Sequence, residues 1–421
     1  MSDTTPPANP AEVPLFPIDP SGADRHHESA LMRDLGPVIR AVLPGDVAMW
    51  VVTDYQLLAE LSADPRIGRD WRTWEALRKG EIPDDWPLLS MIRLNNLMAR
   101  DGAEHRRLRR PLTKAFTRSR VERMGPRIDE IVTAMLDDLP NQAEADGTVD
   151  LRKHYAYPFP MQVICELIGV PEQWWSRFRE LIDTVIRTDT TPEQFLASQA
   201  ERHDYFQQLF AMRRKNPTDD LTSALLAADR EAGEEPFTDE ELEDTLWTLI
   251  GAGHETSISL IVNATRALLT HPDQHNQVRG GDMAVWAEVV EETLRYDSPV
   301  GNFPARFPTE DITIAGITIP KGDAILAPWS GVNRDPKQYG DTADQFDINR
   351  PVKRHLAFGT GPHICIGPAL ARFEAMAALP PLFNRYPNLT LATNPNNLMP
   401  VPSIFSNSVT GLPVHLGPRK N

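Results

Sequence analysis

The spacing of hydrophobic residues predicts a hairpin near the start of the chain and helices through its middle. Two apolar runs, 38–43 and 47–52, flank Pro44-Gly45-Asp46, a pattern typical of a β-hairpin. From about 103 to 269 the apolar residues recur mainly at helical spacing. Further elements are predicted for a helix–loop–helix connection at 188–192, helices at 283–296 and 367–386, a small sheet at 312–320 and strand-like segments after 388.

Two segments lack a regular period. The first 35 residues predict an irregular arm that ends in a short helix near 27–35. Residues 70–101 contain Trp, Met and Leu without steady spacing, which predicts a long structured loop of the kind that often serves function. The fold class is therefore mainly α with small β-sheets. We expect a single domain over 1–421, with 1–35 as its N-terminal arm.

Composition narrows the classes of function. The 421 residues carry a formal net charge of −16, which disfavours a nucleic-acid partner because phosphate binding needs a basic face. The first 19 residues lack a signal-peptide pattern, and no run of about 18 apolar residues occurs. We expect a cytoplasmic protein with no membrane segment.

The two cysteines have different surroundings. They are too few for a zinc cluster or a disulfide framework, and a reducing cytosol disfavours a bond between them. Cys165 lies in an apolar stretch that suits a small buried thiol. Cys365 lies among glycines and before a predicted helix, where amides are expected to lower the pKa of the thiol and bind its sulfur. Glycines also allow a flat cofactor to lie against the backbone. A reactive or structural cysteine is the alternative.

A long helix is predicted to begin at a capping box, Thr238-Asp-Glu-Glu241, and to reach Leu269. Two glycines in its middle, Gly251 and Gly253, each cost about 1 kcal/mol relative to alanine. Tight helix packing explains one glycine. A glycine pair followed by Glu255-Thr256 indicates a helix opened locally for a small ligand and water, whereas a hydrogen bond from Thr256 to its own helix is the alternative.

The run from Phe358 to Gly367, Phe-Gly-x-Gly-x-His-x-Cys-x-Gly, resembles the haem-binding loop of the cytochromes P450. The resemblance implies haem b, buried between the long central helix and the helix after the cysteine loop, with Cys365 as the iron ligand. It implies that Phe358 and Gly359 pack at the haem and that His363 reaches a propionate. His355 is expected to make only a structural hydrogen bond.

Residues 252–256 resemble the family's oxygen-binding groove, Ala-Gly-x-acid-Thr. By that match Ala252 and Gly253 line the groove, and Glu255 and Thr256 deliver protons to dioxygen. His254 is expected to face away.

Other matches imply structural and binding roles. Glu292 and Arg295 resemble a buried ion pair that holds the haem loop, with Arg350 as a candidate third member. The expected propionate contacts, besides His363, are His105, Arg109 and Arg306. The cations left on the same helix are expected to form a docking face for an acidic ferredoxin, itself reduced by a ferredoxin reductase: Arg106, Arg107, Arg110 and Lys114.

The chain is most similar to soluble bacterial members that insert one dioxygen atom into a C–H bond. The expected pocket is mostly apolar and indicates a hydrophobic substrate such as a steroid, terpenoid or macrolide. Residues 80–89 resemble those of some steroid-hydroxylating members. The expected lining comprises the segment 188–195, Ile404, and Met91, Leu94, Met98, Thr248, Ala252, Val300, Phe303 and Phe405.

Two alternatives stay open. The same fold can run peroxide-driven or isomerising chemistry, which usually accompanies loss of the acid–alcohol pair. A non-enzymatic haem-binding sensor would not need Glu255 and Thr256.

Overall fold

Helices make up most of the structure, a computed structural model that describes residues 13–186, 190–227, 235–280 and 282–420. Thr191, Thr238 and Asp282 cap the first backbone amides of three of the longer helices. In chain order the α-helices are α1 (Arg25–Leu35), α2 (Tyr55–Ala63), α3 (Glu75–Arg78), α4 (Gly102–Ala115), α5 (Arg118–Arg123), α6 (Gly125–Asp138), α7 (Pro158–Ile168), α8 (Trp175–Ile186), α9 (Pro192–Lys215), α10 (Leu221–Leu226), α11 (Asp239–Thr270), α12 (Pro272–Val278), α13 (Met283–Tyr296), α14 (Trp329–Val332), α15 (Pro336–Tyr339) and α16 (Pro368–Arg385).

Short helical turns join these helices. One of them is a π-helix, Arg152–Ala156, which leads into α7. The described 3₁₀ turns are Trp71–Thr73, Pro87–Met91, Leu97–Ala99, Leu139–Gln142, Glu172–Trp174, Gly340–Thr342 and Pro395–Asn397.

The strands form three small sheets. They are β1 (Leu15–Pro17), β2 (Val38–Leu43), β3 (Val47–Val52), β4 (Ile67–Gly68), β5 (Val149–Asp150), β6 (Asn302–Pro308), β7 (Ile312–Ile314), β8 (Ile317–Ile319), β9 (Ile325–Pro328), β10 (Thr390–Leu391) and β11 (Pro413–His415). The largest sheet has the order β1-β2-β3-β9-β6-β4, the second β10-β11-β5, and β7 pairs with β8.

The predicted hairpin is confirmed, because β2 and β3 pair antiparallel from Val38↔Val52 to Leu43↔Val47. The N-terminal arm is less irregular than predicted, since β1 adds a parallel strand to β2. Three further strands of that sheet, β4, β6 and β9, were not predicted. All seven residues of β6 are buried, so it lacks the alternation that reveals a half-buried strand.

A bulge in β6 shapes the wall of the site. Phe303 and Arg306 are three positions apart, which in a regular strand would send their side chains to opposite faces. The register of β6 against β9 shifts between these two residues, and Ala305 takes a positive φ of 79°. The bulge lets both side chains line the same cavity.

The long helix α11 begins at the predicted capping box, in which Thr238 and Glu241 cap each other's backbone amides. It runs without a break to Thr270, so the predicted local opening is wrong. Gly253 instead allows close packing, since a Cβ there would lie 3.2 Å from Ile164 of α7, whereas a Cβ on Gly251 would be in ordinary contact with Ile182 of α8 at 3.4 Å.

Buried apolar residues form two clusters, one among the helices around α11 and one on the large sheet. Helices α11 and α16 are joined by a hydrogen bond from Ser257 Oγ to Glu374 Oε2 of 2.5 Å.

Across the described ranges, no helix is both long and apolar enough to pass through a lipid bilayer.

Candidate active site

A cavity of about 250 Å³ lies where the cysteine loop, the middle of α11, the start of α16 and β6 meet. It brings together groups that lie far apart in the sequence: Cys365 on one wall, and Ala252, Gly253 and Thr256 on another. The remaining wall is mostly apolar, with Leu97, Met98, Phe116, Leu260, Val300, Phe303 and Phe405. This arrangement is the one expected for a cofactor held between α11 and the cysteine loop.

The cysteine loop is folded back on itself. The amide of Cys365 donates to the carbonyl of Phe358 at 2.8 Å, and the amide of Gly367 lies 3.3 Å from the Cys365 Sγ. Gly359 and Gly361 take positive φ angles of 70° and 75°. A side chain at Gly361 would also collide with the carbonyl of Ser62. These constraints fix the sulfur at the cavity surface.

Burial among protein atoms raises the pKa of the Cys365 thiol above its usual value, and the Gly367 amide, Arg109 and Arg372 offset only part of that rise. The Gly367 amide lowers this pKa, as the sequence led us to expect, but the net pKa of the thiol is still raised. Loss of solvation outweighs one long hydrogen bond. A thiol that binds a metal is deprotonated by the metal itself.

The acid–alcohol pair has separate partners. The hydroxyl of Thr256 donates to the carbonyl of Ala252 at 2.5 Å, which is the local hydrogen bond that the sequence left as an alternative. The Glu255 carboxylate accepts from Ser406 Oγ at 2.6 Å and pairs with Arg152 at 3.5 Å. Burial raises the pKa of Glu255, and Arg152 opposes that rise. Glu255 does not line the cavity, whereas Thr256 does.

His254 lies on the side of α11 that faces α7. It is buried, and its Nε2 is 3.0 Å from the carbonyl of Tyr157. It is absent from the cavity wall, as the sequence led us to expect.

The two histidines expected at the propionates stand side by side, with ring centroids 4.2 Å apart. His363 Nε2 lies 3.0 Å from Asp101 Oδ1, so its ring is held by a protein carboxylate. His105 Nε2 is buried with no hydrogen-bond partner among the described residues. Burial, with His363 and Arg109 nearby, lowers the pKa of His105 to about 4 and keeps its ring neutral.

Two arginines of the expected clamp lack carboxylate partners within the described part of the chain. Arg109 lines the cavity and donates to the carbonyl of Ile364 at 2.7 Å. Arg306 is buried over the ring of Trp329, and its Nη1 has no partner. Burial brings the pKa of Arg306 well below its usual value. Unpaired buried cations are costly, so this wall fits a cofactor that carries carboxylates beside an iron bound by Cys365.

The Glu292–Arg295 pair is fully buried and bidentate, with N–O distances of 2.7 and 2.9 Å. Arg350 joins it at 3.4 Å from Glu292 Oε1. Arg295 also donates to the carbonyls of Asn333, Ala343 and Gln345. The pair thereby fastens the irregular stretch before the cysteine loop, and removing one partner of such a pair costs about 3–5 kcal/mol.

A second ion pair supports the loop from below. His355 Nε2 lies 3.3 Å from Glu291, and Arg372 of α16 pairs with the same carboxylate at 2.5 Å. Although burial opposes it, these two partners lower the pKa of Glu291 to about 2. Arg372 also lies over the ring of Phe358, at 4.7 Å.

Most of the expected substrate-pocket residues line the cavity: Met98, Thr248, Ala252, Val300, Phe303 and Phe405. Leu94 instead lines a neighbouring outer cavity of about 960 Å³, together with Thr190, Thr191 and Phe195. Met91 and Ile404 line neither, because both pack on the sheet-side core. Residues 187–189, which include Thr188, lie outside the described residues.

Sequence reasoning missed Glu374 and Arg69, which both line the cavity. Glu374 is 1% exposed and its Oε1 has no partner in the described structure. Burial raises its pKa to about 8, and the Ser257 hydroxyl offsets part of that rise. An acid in an otherwise apolar stretch of α16 was the available signal, but its direction could not be read from the sequence.

Comparison with known proteins agrees with this geometry. The Cytochrome P450 family model matches residues 173–407. The 2-hydroxy-5-methyl-1-naphthoate 7-hydroxylase of Streptomyces carzinostaticus is 39% identical over 95% of this chain and 97% of that protein. The Vitamin D(3) 25-hydroxylase of Pseudonocardia autotrophica is 37% identical over 94% of each.

Solved structures resemble the whole fold. CYP154C4 from Streptomyces sp. W2061 is 41% identical, covers 97% of this chain and 99% of its own, and gives a TM-score of 0.91. CYP154C4 from Streptomyces sp. ATCC 11861, described as "Testerone bound", is 40% identical, covers 97% and 100%, and gives 0.92.

The chain belongs to the cytochrome P450 family. It is an oxidoreductase, a monooxygenase that acts on a small molecule with haem iron and dioxygen and receives electrons from redox partners.

The buried acid predicts a pH effect on stability. Because the pKa of Glu374 rises from 4.5 to about 8 on folding, the folded state keeps a proton that the unfolded state loses. The free energy of unfolding should therefore fall between about pH 4.5 and 8, by up to ~1.4 kcal/mol per pH unit. Glu374→Gln should flatten this slope in urea unfolding of the haem-loaded protein at pH 5 to 8.

Glu291→Gln is the matched control. Its pKa of about 2 means that its contribution is complete above pH 4.5, so the variant should lower stability by a constant amount over the same range. An unchanged slope in Glu374→Gln would contradict the assignment.

Proposed function

We propose that this P450 hydroxylates a hydrophobic small molecule of the steroid class, using haem b and electrons that a ferredoxin carries from a ferredoxin reductase. One observation carries the proposal: Cys365, the acid–alcohol helix and an apolar wall surround a single cavity. When bound through Cys365, haem supplies the iron that activates dioxygen, and a thiolate ligand favours O–O cleavage.

The residues of this chain bind and orient the cofactor. Cys365 supplies the iron ligand, and the Gly367 amide donates to its sulfur. His105, Arg109 and Arg306 have free donors or unpaired charge on the side where the carboxylates would lie. His363 contributes by the remaining nitrogen of its ring, since the other faces Asp101.

Proton delivery is assigned to Glu255 and Thr256. A buried carboxyl with a raised pKa can hold a proton, and Thr256 reaches the cavity where the proton is needed. In the observed arrangement each side chain is held elsewhere. We therefore assign the relay to a rotated form in which Thr256 Oγ1 releases the Ala252 carbonyl and Glu255 releases Ser406.

The steroid assignment rests on the wall and on relatives. Phe303 and Phe405 meet edge to face with centroids 5.7 Å apart and give the cavity an aromatic, apolar wall. A solved relative is described as "Testerone bound", a name of the steroid-hormone type, and another relative is a hydroxylase of vitamin D(3), which is steroid-derived. Macrolide and naphthoate substrates, which other relatives' names indicate, are the competing classes.

Binding to the ferric protein tests the substrate class. A panel with a steroid, a terpenoid, a macrolide aglycone and a naphthoate should give the low- to high-spin shift at the lowest concentration for the steroid. Phe405→Ala should weaken steroid binding about ten-fold by removing buried apolar area. Met91→Ala, which lies outside the cavity wall, is the control. A preference for the macrolide or naphthoate would overturn the steroid assignment.

Substitution of the alcohol tests proton delivery. Thr256→Ala should lower the product formed per NADPH by several-fold while NADPH oxidation continues and hydrogen peroxide accumulates. Thr256→Ser keeps the hydroxyl and should retain most of the coupling. Unchanged coupling in Thr256→Ala would contradict the assigned role and favour peroxide-driven chemistry.

The ferredoxin proposal rests on the exposed face of α4. Arg106, Arg110 and Lys114 are exposed on a chain that is otherwise strongly acidic. Arg107, which the sequence grouped with them, forms an ion pair with Glu241 and is only partly exposed. A compact basic face attracts an acidic partner and speeds encounter at low salt.

Charge reversal tests this face. Arg106→Glu with Arg110→Glu should slow reduction by ferredoxin about ten-fold or more at low salt and flatten its dependence on ionic strength. Lys79→Glu, an exposed cation beyond α3 that pairs with Glu75, is the control. Kinetics equal to those of the unaltered protein would count against docking here.

A further inference from the structure

Arg69 is the cation of the cavity that no assigned role explains. It follows β4 directly and lines the cavity with Arg306 and His363. Its guanidinium donates to the carbonyl of Ala305 at 3.1 Å and lies over the ring of Phe303 at 5.2 Å. No ion pair joins Arg69 to a carboxylate of the described residues. Its charge therefore faces the cavity without a direct ion-pair partner, although the nearby Asp101 carboxylate partly offsets the effect of burial on its pKa.

The backbone around Arg69 is fixed by the carboxylate that also holds His363. Asp101 Oδ2 accepts from the amides of Arg69 and Asp70 at 2.8 and 3.0 Å. The other oxygen, Oδ1, is bound to His363 Nε2. A side chain at Gly68 would meet the same carboxylate at 2.7 Å. Asp101 therefore holds the backbone of Arg69 and the ring of His363 in one wall.

Two unpaired guanidiniums in one wall are electrostatically unfavourable. Burial lowers the pKa of Arg69 to about 10, and Arg69 further lowers the pKa of Arg306. Ala305, whose carbonyl accepts from Arg69, lies in the bulge of β6 and is the residue directly before Arg306. An anion between or beside the two charges would offset their repulsion and the cost of burying them. Planar, rigid donors of this kind suit carboxylates in particular.

We propose that Arg69 is a further carboxylate-binding residue of the haem site, which binds a haem propionate beside Arg306 and so positions the cofactor. This inference rests on the proposed haem site. A carboxylate on the substrate shares the same chemistry, so the experiment must separate the two sources.

The test is the rate at which ferric protein loses haem to excess apomyoglobin, a measurement that requires no turnover. Arg69→Met should lose haem about ten-fold faster or more, because a charge-assisted hydrogen bond is removed. Arg69→Lys keeps the charge without the planar fork and should fall between the two rates. Arg72→Met, an exposed arginine on the same segment that pairs with Asp70, is the matched control and should match the unaltered protein.

The midpoint potential of the haem iron is a second measurement, and it depends on the charge of the side chain at position 69. Loss of a cation beside a propionate should lower the ferric/ferrous midpoint potential in Arg69→Met and leave it nearly unchanged in Arg69→Lys. If Arg69→Met does not fold, the haem-loss rate of Arg69→Lys still decides, since a rate equal to that of the unaltered protein would overturn the proposal.

A separate experiment tests whether a carboxylate of the substrate, rather than of haem, binds Arg69. Spin-shift titrations with a hydrophobic carboxylic acid and its methyl ester would show a selective loss of acid binding in Arg69→Met if the substrate supplies the anion. That result with an unchanged haem-loss rate would overturn the assignment to haem. An unaltered protein that binds no haem would instead refute the proposed function, which is a separate outcome.

Discussion

The site depends on how firmly one sulfur atom is held at the end of a loop. The Cys365 amide is bonded to Phe358, the Gly367 amide points at the sulfur, and Gly361 passes too close to Ser62 for any side chain. Beneath the loop, Glu291 binds both His355 and Arg372. Farther back, Arg295 ties three backbone carbonyls to Glu292. Each set of contacts restricts the conformation of the segment above it, so protein contacts orient the sulfur of Cys365.

The cavity wall that carries the arginines needs an anionic cofactor to balance its positive charge. Arg69, Arg109 and Arg306 face the cavity with no carboxylate partner in the described structure, and His105 has a buried nitrogen without an acceptor. Burial also raises the pKa of the Cys365 thiol above its usual value, and the neighbouring protein groups offset only part of that rise. Both features disfavour an empty cavity and favour one that holds an anionic metal cofactor. The cofactor and the wall therefore stabilise each other.

Sequence patterns predicted correctly those features that depend on contiguous residues. The cysteine loop, the capping box at Thr238, the hairpin at 38–52 and the helix at 283–296 were predicted from contiguous residues and agree with the structure. The contact expected of Arg350 with Glu292 is present as well. Such motifs constrain the backbone by themselves, and neighbouring segments change them little.

The remaining features of the site depend on tertiary contacts, which the sequence pattern does not reveal. The wall that carries Phe303 and Arg306 depends on a bulge with Ala305 in a left-handed conformation, which no periodicity reveals. In α11, Gly253 allows the close approach of Ile164, and the helix is not opened at the glycine pair. Glu374 and Arg69 were missed because an isolated charge in the sequence gives no sign of which cavity it faces.

The central claim is that Cys365 binds haem iron as a thiolate. The most direct measurement is the absorption spectrum of the reduced protein with carbon monoxide. The account predicts the strongly red-shifted Soret band of a thiolate-ligated haem, lost in Cys365→His. A Soret band like that of a histidine-ligated globin in the unaltered protein, or a purified protein that binds no porphyrin, would contradict it.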